Sequence, residues 1–114
     1  MDTREITQIF TAMLREGKDV GAAFRHDEVS SIEAMGGSLA IRGKDAVTAK
    51  GAAWCTAHEV NDIVVEGPSV NDHQSALHME MDITKRANGQ RKQRKEVGLH
   101  TVQDGKVVEE RFFY

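Results

Sequence analysis

From Glu59 to Tyr114 the chain is almost continuous strand, and that half decides what it can fold into. Four runs, "EVNDIVVEG", "DHQSALHMEMDITKR", "QRKQRKEVGLHTV" and "KVVEERFFY", are joined by "EGPSVND", "ANGQ" and "QDGK". Each connection places Gly, Asn, Asp or Pro where a tight turn needs a permissive or pre-bent backbone. Short connections make neighbouring strands antiparallel, so the expected core of the fold is a long antiparallel meander.

The first half supplies what covers such a sheet. Ile6, Ile9, Phe10, Met13 and Leu14 recur at helical spacing and predict one apolar stripe. Asp2 with Glu5 three residues on reads as a helix start, and Gly17 as its end. A second short helix is expected from Asp19 to about His26, with Val20, Ala23 and Phe24 inward. "EVSSIEAMGGSLAIRG" reads as two β-like runs around Gly36-Gly37. "GKDAVTAKGAAWCTAH" is alanine-rich and therefore helical. Val47, Gly51, Trp54 and His58 share one side of it, with Gly51 allowing close packing. Helices segregated from an antiparallel sheet define an α+β fold.

At 114 residues the chain is expected to be a single domain, residues 1–114, with one core. A net charge of −3, with Lys and Arg spread along the sequence, argues against nucleic acid as the main partner. The densest basic run, "GQRKQRKE", reads as a strand face or a solvated hairpin shoulder. Cys55 stands alone, which excludes an internal disulfide and a multi-cysteine metal site; a small buried apolar group is expected there. The five histidines lack metal-ligand spacing, so no metal and no cofactor are expected. No apolar run reaches membrane length and the charged N-terminus does not resemble a leader, so no membrane partner and a cytoplasmic location are expected.

Register decides which residues face inward, because a slip of one residue turns every side chain over. "VQDGK" is read as a three-residue loop with Gly105 in a bulge, which pairs Gly98 with Glu110; a two-residue loop at Asp104-Gly105 is the alternative and pairs Gly98 with Arg111. Asn88-Gly89 is read as a two-residue turn, which sets Met81 opposite Glu96, Met79 opposite Gly98 and Leu77 opposite His100. One face then carries Leu77, Met79, Met81, Phe112 and Tyr114 around Glu96, His100 and Glu110. An apolar wall with a few convergent polar groups is the usual anatomy of a small-molecule site. The other face carries His78, Glu80 and Asp82 beside Val97, Leu99, Val107 and Phe113. It suits a subunit interface, and a homodimer is expected.

The order of "AFRHDEVSSIEAMGG", the "GKDAV" helix start and the terminal "TVQDGKVVEERFFY" resembles the nuclear-transport-factor-2-like superfamily, nearest its SnoaL-like and ketosteroid-isomerase-like branch. The resemblance covers nearly the whole chain. It implies a strongly curved sheet wrapped around the helices as a cone, usually dimeric, with a ligand cavity inside. It also places Glu33 of "SIEAMGG" at the position of the isomerases' catalytic carboxylate. The isomerases' oxyanion-hole acid falls at Gly98, and the first helix holds no tyrosine, so both of those donors are missing here.

The candidate catalytic residues are therefore Glu33, Glu96, His100 and Glu110. The first is read either as a general base or as a strand residue at the solvent rim. Glu96 and Glu110 are read either as a carboxylate pair with separated pKa values or as ion-pair partners of Arg91, Arg94 or Arg111. His100 is either a proton shuttle or a hydrogen-bonded structural histidine. Candidate ligand contacts are Trp54, His58, Met79, Met81, Phe112 and Tyr114, any of which can instead be core. Three functions stay open: proton-transfer chemistry of isomerase, cyclase or dehydratase type on a mostly apolar carbonyl compound, a non-catalytic ligand-binding or accessory module, and a protein adaptor. Convergence of the three acids and His100 on one open cavity separates the first from the others.

Overall fold

The computed structural model describes residues 1–16, 23–34 and 40–114. The elements are α1 (Thr3–Arg15), β1 (Arg25–Ile32), β2 (Ala40–Arg42), α2 (Lys44–Ala57), β3 (His58–Asn71), β4 (Gln74–Lys85), β5 (Gln90–Gln103) and β6 (Lys106–Phe113). Gly17, most of the expected second helix and the Gly36-Gly37 turn lie outside the described residues. Of that second helix, Arg25 and His26 are strand, and Ala23 is exposed.

Six strands form one curved sheet in the order β2-β1-β6-β5-β4-β3. The meander from β3 to β6 is antiparallel as expected. What the sequence reading lacked is that β1 joins the sheet parallel to β6, with Ser31 beside Glu110. Helix α1 lies against β3 and β4, and α2 against β1, β2 and β3. The fold is α+β.

Asp2 caps α1, its carboxylate accepting the Glu5 backbone N–H at 2.8 Å. The buried face of α1 is Thr3, Ile6, Thr7, Phe10 and Thr11, while Ile9 is exposed. The threonines can be interior because Thr7 and Thr11 donate their hydroxyls to the Thr3 and Thr7 carbonyls, each at 2.8 Å. One core cluster joins Ile6, Phe10, Val29, Val47, Val102 and Val107; a second joins Val65, Leu77 and Met79. Two expectations fail on α2. Cys55 is exposed, and a Cβ at Gly51 would meet nothing within 4 Å.

The proposed connection "EGPSVND" is mostly strand. β3 runs on to Asn71 through an irregularity between Glu66 and Ser69. Gly67 sits there at φ +117°, and a Cβ on it would lie 3.0 Å from the Ala76 carbonyl oxygen, so glycine is required.

Both predicted turns differ, and in both cases the inward face is kept. Lys85 pairs with Gln90, so the β4–β5 loop has four residues rather than two. The Asn88 side chain accepts the Gln90 N–H at 3.0 Å, and the Gly89 N–H closes onto the Lys85 carbonyl at 2.8 Å. Met79 consequently opposes Glu96, Leu77 opposes Gly98 and Ser75 opposes His100. This is a slip of two residues from the expectation, which preserves facing. The β5–β6 turn is the two-residue alternative, with Asp104 and Gly105 at φ 51° and 75°. Val102 pairs with Val107, but Thr101 pairs with Glu109, leaving Val108 as an inserted residue. That bulge restores the parity the shorter turn would have reversed. Val107 is buried in the core rather than on the outer face.

Candidate functional site

The inner sheet face gathers the polar residues around Lys50. Alternation along β4 and β5 buries Ser75, Leu77, Met79 and Met81 beside Glu96, Gly98 and His100. The Val108 bulge turns Glu110 to the same side, directly opposite His100. Glu33 follows the end of β1. Lys50 comes down from α2, one turn beyond Val47, to form an ion pair with Glu33 and to donate to Ser31 Oγ at 2.7 Å. Its ammonium lies 5.5 Å from the centre of the Phe112 ring.

Each acid has a cation. Arg25 Nε donates to Glu110 Oε1 at 3.1 Å, and the same guanidinium donates to Thr48 Oγ1 at 3.2 Å. Arg94 Nε lies 3.0 Å from Glu96 Oε2, near enough for an ion pair but without the alignment of a hydrogen bond. The Arg94 guanidinium is also 4.1 Å from the Tyr114 ring centre, and the Tyr114 hydroxyl donates to Glu33 Oε2 at 2.7 Å. Glu33, Lys50, Tyr114, Arg94 and Glu96 thus form one connected string. Tyr114 is otherwise half exposed, at its edge.

Environment sorts the carboxylates. Burial pushes Glu96 and Glu110 above the usual glutamate value, against the opposing charges of Arg94 and Arg25 respectively. Partial burial acts the same way on Glu33, but hydrogen bonds from Lys50 and Tyr114, with the Lys50 charge, outweigh it and hold Glu33 below that value. Burial, reinforced by the Arg25 charge, lowers His100 to about 4, so its imidazole is neutral at pH 7. The ring meets Phe10 edge-on at 5.4 Å and Phe112 at 6.5 Å.

The structure brings together Glu33, Glu96, His100, Glu110, Met79, Met81, Phe112 and Tyr114 on or beside this face. Trp54 and His58 stack on one another at 4.6 Å where α2 passes into β3. Of the expected ion pairs, Arg94 with Glu96 is present; Arg91 instead takes Asp82, and Arg111 takes Glu109. Lys50, Arg25 and Ser75 were missed. Lys50 shares the helical side of Val47 and Trp54, a lysine on an apolar stripe, and that was the available signal. Arg25 was hidden by the helix expected there. Two surface recesses, of about 380 and 400 Å³, lie elsewhere, the first by Met1 and Gly105, the second by Gly67 and Val97; neither is lined by the three acids or His100. Among the described residues no His, Cys, Asp and Glu cluster could hold a metal ion, and no helix is long and apolar enough to cross a membrane.

The sequence profile of the SnoaL-like domain matches residues 1–114. The chain belongs to the SnoaL-like domain family. This SnoaL-like domain is similar to a candidate SnoaL-like polyketide cyclase of Mesorhizobium loti, also designated a carbohydrate phosphatase, at 41% identity and TM-score 0.92 over all of both chains. Its fold is shared by a candidate SnoaL-like polyketide cyclase of Jannaschia, at 20% identity and TM-score 0.79, over 96% of this chain and 82% of that one. It is also shared by a Catenulispora acidiphila protein with a ketosteroid-isomerase-like fold in complex with trimethylamine, at 10% identity and TM-score 0.76, over 96% and 85%. No curated protein matches this SnoaL-like domain.

Proposed function

We propose that this SnoaL-like domain binds a small, mostly apolar carbonyl compound at its inner sheet face and moves a proton on it, as an isomerase, cyclase or dehydratase would. The small-molecule-binding character of the family supports the coarse part of this reading. The observation that carries the finer part is the gathering of Glu96, Glu110 and His100 with Met79 and Phe112 on one buried face. Glu96 and Glu110, raised by burial, stand nearer the neutral range where a general acid or base is effective. Glu33, kept ionised by Lys50 and Tyr114, serves better as the counter-ion that positions them than as the base. Neutral His100 is suited to hydrogen bonding with a substrate rather than to carrying charge.

A non-catalytic binding module is favoured by two observations: each of the three acids already faces a cation, and neither of the two surface recesses is lined by the acids or His100. Small cyclic ketones incubated with the protein in D2O, followed by proton NMR for exchange at the α-carbon, separate the two. Catalysis predicts accelerated exchange that falls at least about tenfold in Glu96→Gln or Glu110→Gln. Binding of the ketones without acceleration would leave the binding module.

A further inference from the structure

Four buried polar residues stand in one row across the sheet. Ser31 on β1 pairs with Glu110 on β6, Glu110 with His100 on β5, and His100 with Ser75 on β4. None is more than 9% exposed. The first half of the row is satisfied: Ser31 Oγ accepts from Lys50, and Glu110 accepts from Arg25. The second half is not. Ser75 Oγ and His100 Nδ1 are shut away from solvent, and neither has a hydrogen-bond partner among the described residues.

Orphaned buried polar atoms are rare because each destabilises the fold without return. Here two of them face the same side from adjacent strands. Directly opposite residues in an antiparallel pair have Cβ atoms about 4.5–5.5 Å apart, so a single atom between the side chains can reach both. Apolar rings flank the imidazole, with Glu110 across the ladder from it: Phe10 and Phe112 meet it edge-on, and a Cβ built on neighbouring Gly98 would touch His100, Met79 and Phe112 at 3.3 to 3.5 Å.

The serine hydroxyl can donate one hydrogen bond and a neutral imidazole carries one N–H, whereas a carbonyl oxygen has two lone pairs and no hydrogen. We propose that Ser75 Oγ–H and His100 Nδ1–H are a donor pair for one carbonyl oxygen, so that the ligand is a neutral carbonyl compound bound with its oxygen against β4 and β5. This rests on the small-molecule reading above and names the part of the ligand that is recognised. The low proton affinity of His100 is consistent with a neutral ring donor.

Cyclohexanone and methylenecyclohexane have nearly the same shape and differ in carbonyl oxygen against methylene. The intact protein should bind cyclohexanone about tenfold more tightly. The carbonyl carbon of 13C-labelled cyclohexanone should move downfield on binding. Ser75→Ala should lose most of the preference and the shift while unfolding at no lower denaturant concentration, since it removes an orphan. His100→Phe should do the same to the preference if it folds; Ser75→Ala decides the matter if it does not. Equal affinities with no carbonyl shift, or a preference that survives Ser75→Ala, overturn the donor pair and leave the apolar site standing. Failure of both compounds to bind overturns the donor pair and the small-molecule reading together.

Discussion

His100 faces Glu110 across the β5–β6 ladder because Val108 is an extra residue between them and the turn. The type of turn and the bulge compensate each other. With the two-residue turn alone, Glu109 would have taken the inner position and the site would have lost an acid.

The buried neutral His100 should make the fold acid-sensitive. Its folded pKa, about 4, lies below the ordinary 6.5, so between those values the unfolded chain holds a proton that the native state does not. Stability from this group is complete above pH 6.5 and is lost as pH falls toward 4, by about 3 kcal/mol in all. Glu96 and Glu110, raised by burial, work in the opposite sense as they take up protons. Urea unfolding of wild type against His100→Asn at pH 7.5 and 4.5 isolates the histidine. The wild type should lose more stability than the variant on acidification, and equal losses would show a solvated ring.

Lys50→Gln should move three carboxylates at once. The ammonium favours the ionised forms of Glu33, Glu96 and Glu110 alike. Carboxyl 13C NMR should show Glu33 ionising first in the wild type, and all three rising in the variant. Glu33 should rise the most because it loses its direct partner.

Arg25 and Glu110 are both about nine-tenths buried, so removing one leaves the other stranded. Arg25→Met should destabilise the fold by about 3 kcal/mol or more at pH 8 and by less at pH 5, where Glu110 can take a proton. Adding Glu110→Gln to Arg25→Met should recover most of the loss. Additive effects in this double-mutant cycle would mean the pair is not coupled.

The outer sheet face is expected to join two copies. Phe113 and Val64 are about half exposed, with half-buried Val97 and Leu99 on the same face. Sedimentation at micromolar concentration should give a dimer, and Phe113→Glu a monomer. A monomeric wild type would remove this expectation.

Much of this was legible in the order of residues. Alternation along "SALHMEM" and "EVGLH" settled the inner residues of β4 and β5, because a strand's period of two survives any even slip in pairing. Asp2 and Glu5 located the start of α1 by local capping chemistry alone. What the sequence could not settle were quantities that depend on partners far along the chain. Arg25 meets Glu110 only because β1 lies parallel to β6, and nothing local signals a parallel neighbour. Thr7 and Thr11 displaced Ile9 from the interior because the sheet, not the helix, chose which side of α1 to cover. That the Ser75 hydroxyl has no hydrogen-bond partner among the described residues likewise appears only when the strands stand side by side, since burial belongs to the assembled layers and not to any one segment.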